Sequence, residues 1–241
     1  MHANCASSGI LSHCVALFDI DGTLITGPAG GPSPGVIAMD TAAIQLTGQP
    51  NLHDQVEFAG RTDRQIARDL LLAGGHQHPS EGDITRLIEI YIEVLSEGVK
   101  LRPYRAIGDV RCAVESLRAA GCTVGLGTGN MVRGAGAKLA SAGLLDAFDL
   151  SLGGFADDAE PRDDVLRAGA KRCDPSGEKV IVVIGDTPHD VHAAMAINAL
   201  CLAVTTGCHD EPTLRREGAH EVVDRLDGTT VDTLAAMLRR R

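Results

Sequence analysis

Asp19 and Asp21 stand one residue apart, directly before Gly22, where the apolar run Val15-Ala16-Leu17-Phe18 stops. Four consecutive apolar residues without alternation suit a strand buried on both faces, and Gly22 permits a sharp exit from it. The two carboxylates then sit at the carboxyl end of a central strand, where open α/β sheets place their ligand sites. Carboxylates this close repel each other unless a cation lies between them, and a small hard ion such as Mg²⁺ prefers oxygen ligands with few protein groups. One carboxylate stays free to attack an electrophile whose charge the ion has partly neutralised. A helix cap or an Asx turn is the competing use of Asp before Gly.

Three later segments carry further candidates. Gly127-Thr128-Gly129-Asn130 follows an apolar run, and its small residues let backbone N–H groups and the Thr128 hydroxyl approach an anion. A turn with Asn130 as helix cap accounts for it equally well. Gly185-Asp186-Thr187-Pro188-His189-Asp190 places Asp186 at a strand end as Asp19 is placed, which favours a metal-ligand role. Asp190 falls in the first turn of the next helix, as a dipole-complementing carboxylate or as support for the site. Arg162 sits in the acidic stretch Asp157-Asp158-Ala159-Glu160-Pro161-Arg162-Asp163-Asp164, where a surface salt bridge is its alternative use.

Asp19-Ile20-Asp21-Gly22-Thr23 resembles the signature of the haloacid-dehalogenase-like superfamily, whose phosphatase members use the first Asp as nucleophile and the second as general acid and base. The resemblance runs from about Val15 to the strand ending at Val204. It implies that Thr128 binds the phosphoryl group, with Gly129 and Asn130 beside it. It further implies that Mg²⁺ is held by Asp19, Asp186 and the backbone carbonyl of Asp21, with Asp190 supporting. The superfamily usually offers a Lys to the nucleophile and the transferring group. Arg162 resembles the Arg variant of that position and is preferred to Lys171, which falls deep in a helix away from the strand ends. Phe58-Ala59-Gly60-Arg61-Thr62-Asp63 resembles the loop that phosphoglycolate-phosphatase-like members turn toward substrate, which makes Arg61 a candidate for a substrate carboxylate or second phosphate. The implied enzyme is a Mg²⁺-dependent phosphatase acting on a small phosphorylated metabolite through an aspartyl-phosphate. A sugar-phosphate mutase retains both Asp residues and is the rival on the same fold. Dehalogenation does not use Asp21, and phosphonate hydrolysis needs a Lys that the segment before Lys100 lacks. A binding module that keeps the fold without turnover is the reading from another class.

These residues need a scaffold, and the pattern around them supplies one. From Pro103 onward helices alternate with short apolar runs, which implies a parallel sheet covered on both faces. Strands are expected at Thr123–Gly127, near Phe148 to Leu152, at Lys179–Ile184 and Ala199–Val204, with an edge strand at Glu221–Val223. Between Pro28 and Arg102 the signals are helical. Ser33 and Pro34 open a helix stopped by Gly48, Thr62 and Gln65 form a capping box before a helix ending at Gly74-Gly75, and a third helix runs from Ser80 to Gly98. The expected fold is therefore α/β, a Rossmann-like sheet formed by 1–27 and 104–241, with a small helical cap domain, 28–103, inserted after the first strand. Thr26 to Pro34 reads as a Gly/Pro-rich hinge, and Met1 to His13 as loosely ordered.

Composition narrows the partners. The chain of 241 residues has a formal net charge of −10 and only 2% aromatic residues, which argues against nucleic acid, whose binding rests on Lys, Arg and stacking rings. No run approaches a membrane span, and no basic leader precedes the first strand. Seven cysteines include no Cys-x-x-Cys pair, so a reduced, cytoplasmic protein is expected, as monomer or homodimer.

Overall fold

The computed structural model describes residues 9–241. In chain order its strands are β1 (Cys14–Phe18), β2 (Ile25–Thr26), β3 (Arg105–Ala106), β4 (Thr123–Gly127), β5 (Gly153–Gly154), β6 (Val180–Gly185), β7 (Leu200–Val204) and β8 (Glu221–Val223). Six of them form one sheet in the order β5-β4-β1-β6-β7-β8, and every pairing in it is parallel. β2 and β3 form a separate antiparallel ribbon.

β1 is buried along its whole length, and its side chains divide between two cores. Cys14, Ala16 and Phe18 belong to one cluster with Val114 and Leu117 of α4 (Val110–Ala119) and Leu234 of α9 (Thr230–Arg239). Val15 and Leu17 join Leu166 of α6 (Arg162–Cys173), Val191 of α7 (Pro188–Ala196) and Leu214 of α8 (Glu211–Arg216) on the opposite face. This is the period-two alternation of a strand between two helical layers, and it explains the unbroken apolar run in the sequence.

Register brings the site together. Phe18 lies opposite Leu126 of β4 on one side and Ile184 of β6 on the other, so these three strands end level. The chain crosses to β4 on one side of β1 and later to β6 on the other, which makes the carboxyl end of β1 the switch point of the sheet. Asp19, Thr128 and Asp186 leave the sheet there side by side.

Between the two strands of the ribbon the chain forms α1 (Pro34–Thr47), α2 (Asp63–Ala73) and α3 (Glu81–Leu101). The Ser33 cap with Pro34 at the helix start and the reciprocal Thr62–Gln65 capping box are both present. The helix α5 (Val132–Ser141) packs against α3.

Three expectations need correction. The third helix does not stop at Gly98, because Val99 continues the buried stripe of Tyr91 and Leu95 and carries the helix to Leu101. The segment Phe148 to Leu152 is not a strand: a 3-10 turn at Leu145–Ala147 precedes it, and pairing to β4 begins only at Gly153. The expected looseness of Met1 to His13 concerns residues that lie outside the described ones as far as Ser8, while Leu11 within it is fully buried.

Candidate active site

Asp19 follows β1 and donates its own N–H to the Ile184 carbonyl, which fixes it to the neighbouring strand. Its carboxyl is buried, and Oδ1 lies 2.8 Å from Nη2 of Arg162. The same guanidinium contacts Oδ1 of Asp190, and its Nη1 donates to the Gly60 carbonyl. Arg162 reaches this position because it is the first residue of α6, whose start lies over the sheet edge. Its Nε–H is buried without a partner, so one donor at the site remains unused. Burial pushes the Asp19 carboxyl up to about 6, against the opposing pull of Arg162.

Asp21 sits in the tight turn that Gly22, at φ +80°, makes after the strand. Its Oδ2 accepts from Nζ of Lys138 at 2.7 Å and from Nδ2 of Asn130 at 2.9 Å. Lys138 is buried on α5, donates also to Oδ1 of Asn130 at 2.6 Å, and lies over the Tyr104 ring. Burial alone would lower its pKa, but Asp21, Tyr91 and Tyr104 raise it well above the ordinary value, so the ammonium persists. Asn130 Nδ2 also donates to Thr128 Oγ1 at 2.8 Å, which links the loop after β4 to Asp21.

Asp186 follows β6 and accepts from Thr23 Oγ1 at 2.9 Å. The carboxyl has a close-fitting surround: a Cβ added at Gly22 or at Gly207 would collide with it. Burial, then Asp190 and Asp19, raise its pKa well above the usual carboxylate range. Asp190 is fully buried, and its Oδ2 accepts from the N–H and the hydroxyl of Thr187 in a capping box at the start of α7. Oxygens of Asp19, Asp186 and Asp190 lie within 4.8 Å of one another. Three buried carboxylates facing one guanidinium suit a hard divalent cation. Asp190 is already held by Thr187 and Arg162, so Asp19 and Asp186 have the oxygens to spare.

The helices α1 to α3 roof this edge and touch it directly. Gly60, at φ +71°, lies so close to Thr187 and His189 that a side chain there would collide with both. Thr62 Oγ1 donates to the Glu160 carbonyl, Asp63 N–H to the Gly129 carbonyl, and Met131 N–H to Asp63 Oδ2. A cavity of about 300 Å³ remains between roof and sheet, lined by Asp19, Asp21, Thr128, Gly129, Asn130, Arg162 and Asp186, and on the roof side by Arg61 and Asp63.

Every site residue expected from the sequence thus lies at this cavity except Asp190, which stands behind Arg162. Arg61 borders the cavity, yet its Nη2 is bound to Asp69 Oδ2 at 2.7 Å and its Nε to Gln65 at 3.3 Å. Lys171 is exposed and donates to the Pro175 carbonyl, away from the site. Sequence reasoning missed Lys138 and Asp63. The trace of Lys138 was a lone lysine set between Ala135 and Leu139, both buried, on the inward stripe of α5.

Known proteins resemble this chain in sequence and in fold. A family model described as haloacid dehalogenase-like hydrolase matches residues 15–198. A Dickeya dadantii protein named "Probable phosphatase IndB" is 24% identical over 213 residues, covering 87% of this chain and 89% of its own. The crystal structure of a hydrolase from Pseudomonas syringae shares the fold with a TM-score of 0.68 and 21% identity, over 91% of this chain and 96% of that one. A β-phosphoglucomutase from Clostridium difficile does so with a TM-score of 0.67 and 15% identity, over 94% and 97%.

Proposed function

Since the chain belongs to the haloacid dehalogenase-like hydrolase family, we propose that it is a Mg²⁺-dependent phosphatase that hydrolyses a small phosphate monoester through an aspartyl-phosphate on Asp19. The observation that carries this reading is the pairing of roles at one strand end. Asp19 has an oxygen directed at the cavity edge under Arg162, and Asp21, two residues on, is oriented separately by Lys138 and Asn130.

In this reading Asp19 attacks phosphorus and the ester oxygen departs with a proton from Asp21. Asp21, now ionised, then takes a proton from the water that opens the acyl phosphate, which releases phosphate and restores the Asp19 carboxylate and the protonated Asp21. Arg162 and the Thr128 hydroxyl face the phosphoryl oxygens and offset the charge that builds on them. Arg162 also keeps Asp190 compensated when Asp19 is phosphorylated. Asp19, Asp186 and the Asp21 carbonyl would hold Mg²⁺, which supplies Lewis-acid neutralisation of the phosphoryl oxygens. The helices of 28–103 act as a cap, and their contacts through Gly60, Thr62 and Asp63 exclude bulk water from the reacting centre.

Release of inorganic phosphate from p-nitrophenyl phosphate and from a panel of phosphorylated metabolites, with and without Mg²⁺, tests this reading. Metal-dependent release supports it. Conversion of a sugar phosphate to its isomer without net phosphate release would replace it by the mutase.

A further inference from the structure

Beyond the reacting carboxylates the cavity is walled by Val36, Met39, Phe58, Ile66 and Tyr91. Each cation on its lining already pairs with a protein carboxylate, and the Arg162 Nε–H is the one buried donor there without a partner among the described residues. Arg162 bridges Asp19 and Asp190, and Lys138 holds Asp21 and Asn130. Arg61 is clamped from α2 itself, by Gln65 and, one turn further along, by Asp69. Facing these is a carboxyl with capacity to spare. Asp63 is 5% exposed, and among the described residues its side chain makes one hydrogen bond, from Met131 N–H to Oδ2 at 2.7 Å. Its Oδ1 is left for a ligand.

We infer, on the premise that the phosphatase reading above holds, that the alcohol released is small and uncharged, with an apolar face for this wall and a hydroxyl for Asp63, and that Asp69 sets this selectivity by holding Arg61. A hydroxyl can pair with Asp63 whether the carboxyl is ionised or not, since it both donates and accepts. A carboxylate or second phosphate would enter beside an acidic group and find its cation taken, and burying a charge without a partner is strongly unfavourable. The cavity volume lies at the lower end of ligand sites, roughly 300–1,000 Å³, which limits the alcohol to a few carbons beside the phosphate. This assigns Arg61 the opposite consequence to the one its sequence context implies. Its charge is present but paired with Asp69.

The test measures kcat/KM on two series of equal size, phosphorylated polyols or hydroxyalkyl alcohols against phosphorylated hydroxy acids, for wild type and for Asp69→Asn. The wild type is expected to favour the uncharged series by at least about tenfold. Asp69→Asn frees the Arg61 guanidinium and is expected to raise kcat/KM on the hydroxy-acid esters at least about fivefold, leaving the uncharged series within about twofold. Asp69 is about one-third exposed, so the variant is expected to fold, and thermal unfolding verifies it. Turnover with no preference, or with preference for the acids, overturns the inference while the phosphatase reading survives. An Asp69→Asn profile identical to wild type removes Asp69 as the determinant and overturns it also. Absence of hydrolysis on every ester overturns the phosphatase reading and this inference with it.

Discussion

Nζ of Lys138 lies 2.7 Å from Oδ2 of Asp21, across 117 residues of chain. Because Asn130 Nδ2 occupies the same oxygen, Oδ1 of Asp21 is the one left to meet the ester. Lys138 is buried while the Asp21 side chain is 42% exposed toward the cavity, so the lysine orients a carboxyl that substrate can still reach.

Lys138→Met should therefore impair proton transfer to the leaving group more than phosphoryl binding. General acid–base participation is worth roughly 10²–10⁴-fold. The variant is expected to lose about a hundredfold in kcat/KM on alkyl phosphates, and less than about tenfold on p-nitrophenyl phosphate, whose leaving group departs without a proton. Steady-state kinetics on both esters decides this. Equal losses would make Lys138 a packing residue.

Arg162→Ala removes a buried cation from two buried carboxylates. Breaking such a pair costs about 3–5 kcal/mol, and the transition state loses a donor worth roughly a hundredfold in kcat. Both a lower Tm and a lower kcat are expected. Arg162→Lys should restore only part of either, because one ammonium cannot span Asp19, Asp190 and the Gly60 carbonyl. Lys171→Ala should behave as wild type, and wild-type activity in Arg162→Ala would remove that residue from the phosphoryl site.

Asp19→Asn should abolish turnover with the fold intact. The carboxyl is buried, with its pKa held up to about 6 by that burial, so its neutral amide replacement fits the same space without a desolvation cost. Chelation of divalent metal should abolish turnover reversibly. Persistent Mg²⁺-dependent phosphate release by Asp19→Asn would rule out the covalent route.

The last expectation concerns stability. Burial pushes the Asp63 carboxyl from an ordinary 3.8 up to about 7, against the opposing effect of Lys138. The folded state therefore holds this proton more tightly than the unfolded state. Its contribution is fully present below pH 4 and is lost as the pH rises through 7. Each unit of pKa separation is worth about 1.4 kcal/mol, so the loss reaches at most about 4 kcal/mol. Asp63→Asn, which keeps an acceptor for Met131 but cannot ionise, should unfold near wild type at pH 4 and at a Tm several degrees higher at pH 8.5. A difference in Tm that stays constant across that range would contradict this account.

Much of the site was legible in the chain because it is built from strand ends. A buried strand shows as an unbroken apolar run, and the residue after it must emerge at the sheet edge, so Asp19, Thr128 and Asp186 could be placed from local pattern. The caps of α1, α2 and α7 were legible for the same reason, since each is settled within four residues. The short pairing at Gly153–Gly154 was not, because two glycines carry no side-chain pattern and the strand exists only through its neighbour β4. Partners of the charged groups lay further still beyond reach. That Lys138 serves Asp21, and that Arg162 binds Asp190 as well as Asp19, depends on which helix crosses which strand end. The Arg61 charge could be counted in the sequence, but whether it faces a ligand or Asp69 is a matter of side-chain geometry. Local rules of strand and turn are enough to gather Asp19, Asp21 and Asp186 at the switch point. Which cation each carboxylate holds is settled by the packing of helices over the strand ends, because electrostatic partnership falls off within a few ångströms and takes no account of distance along the chain.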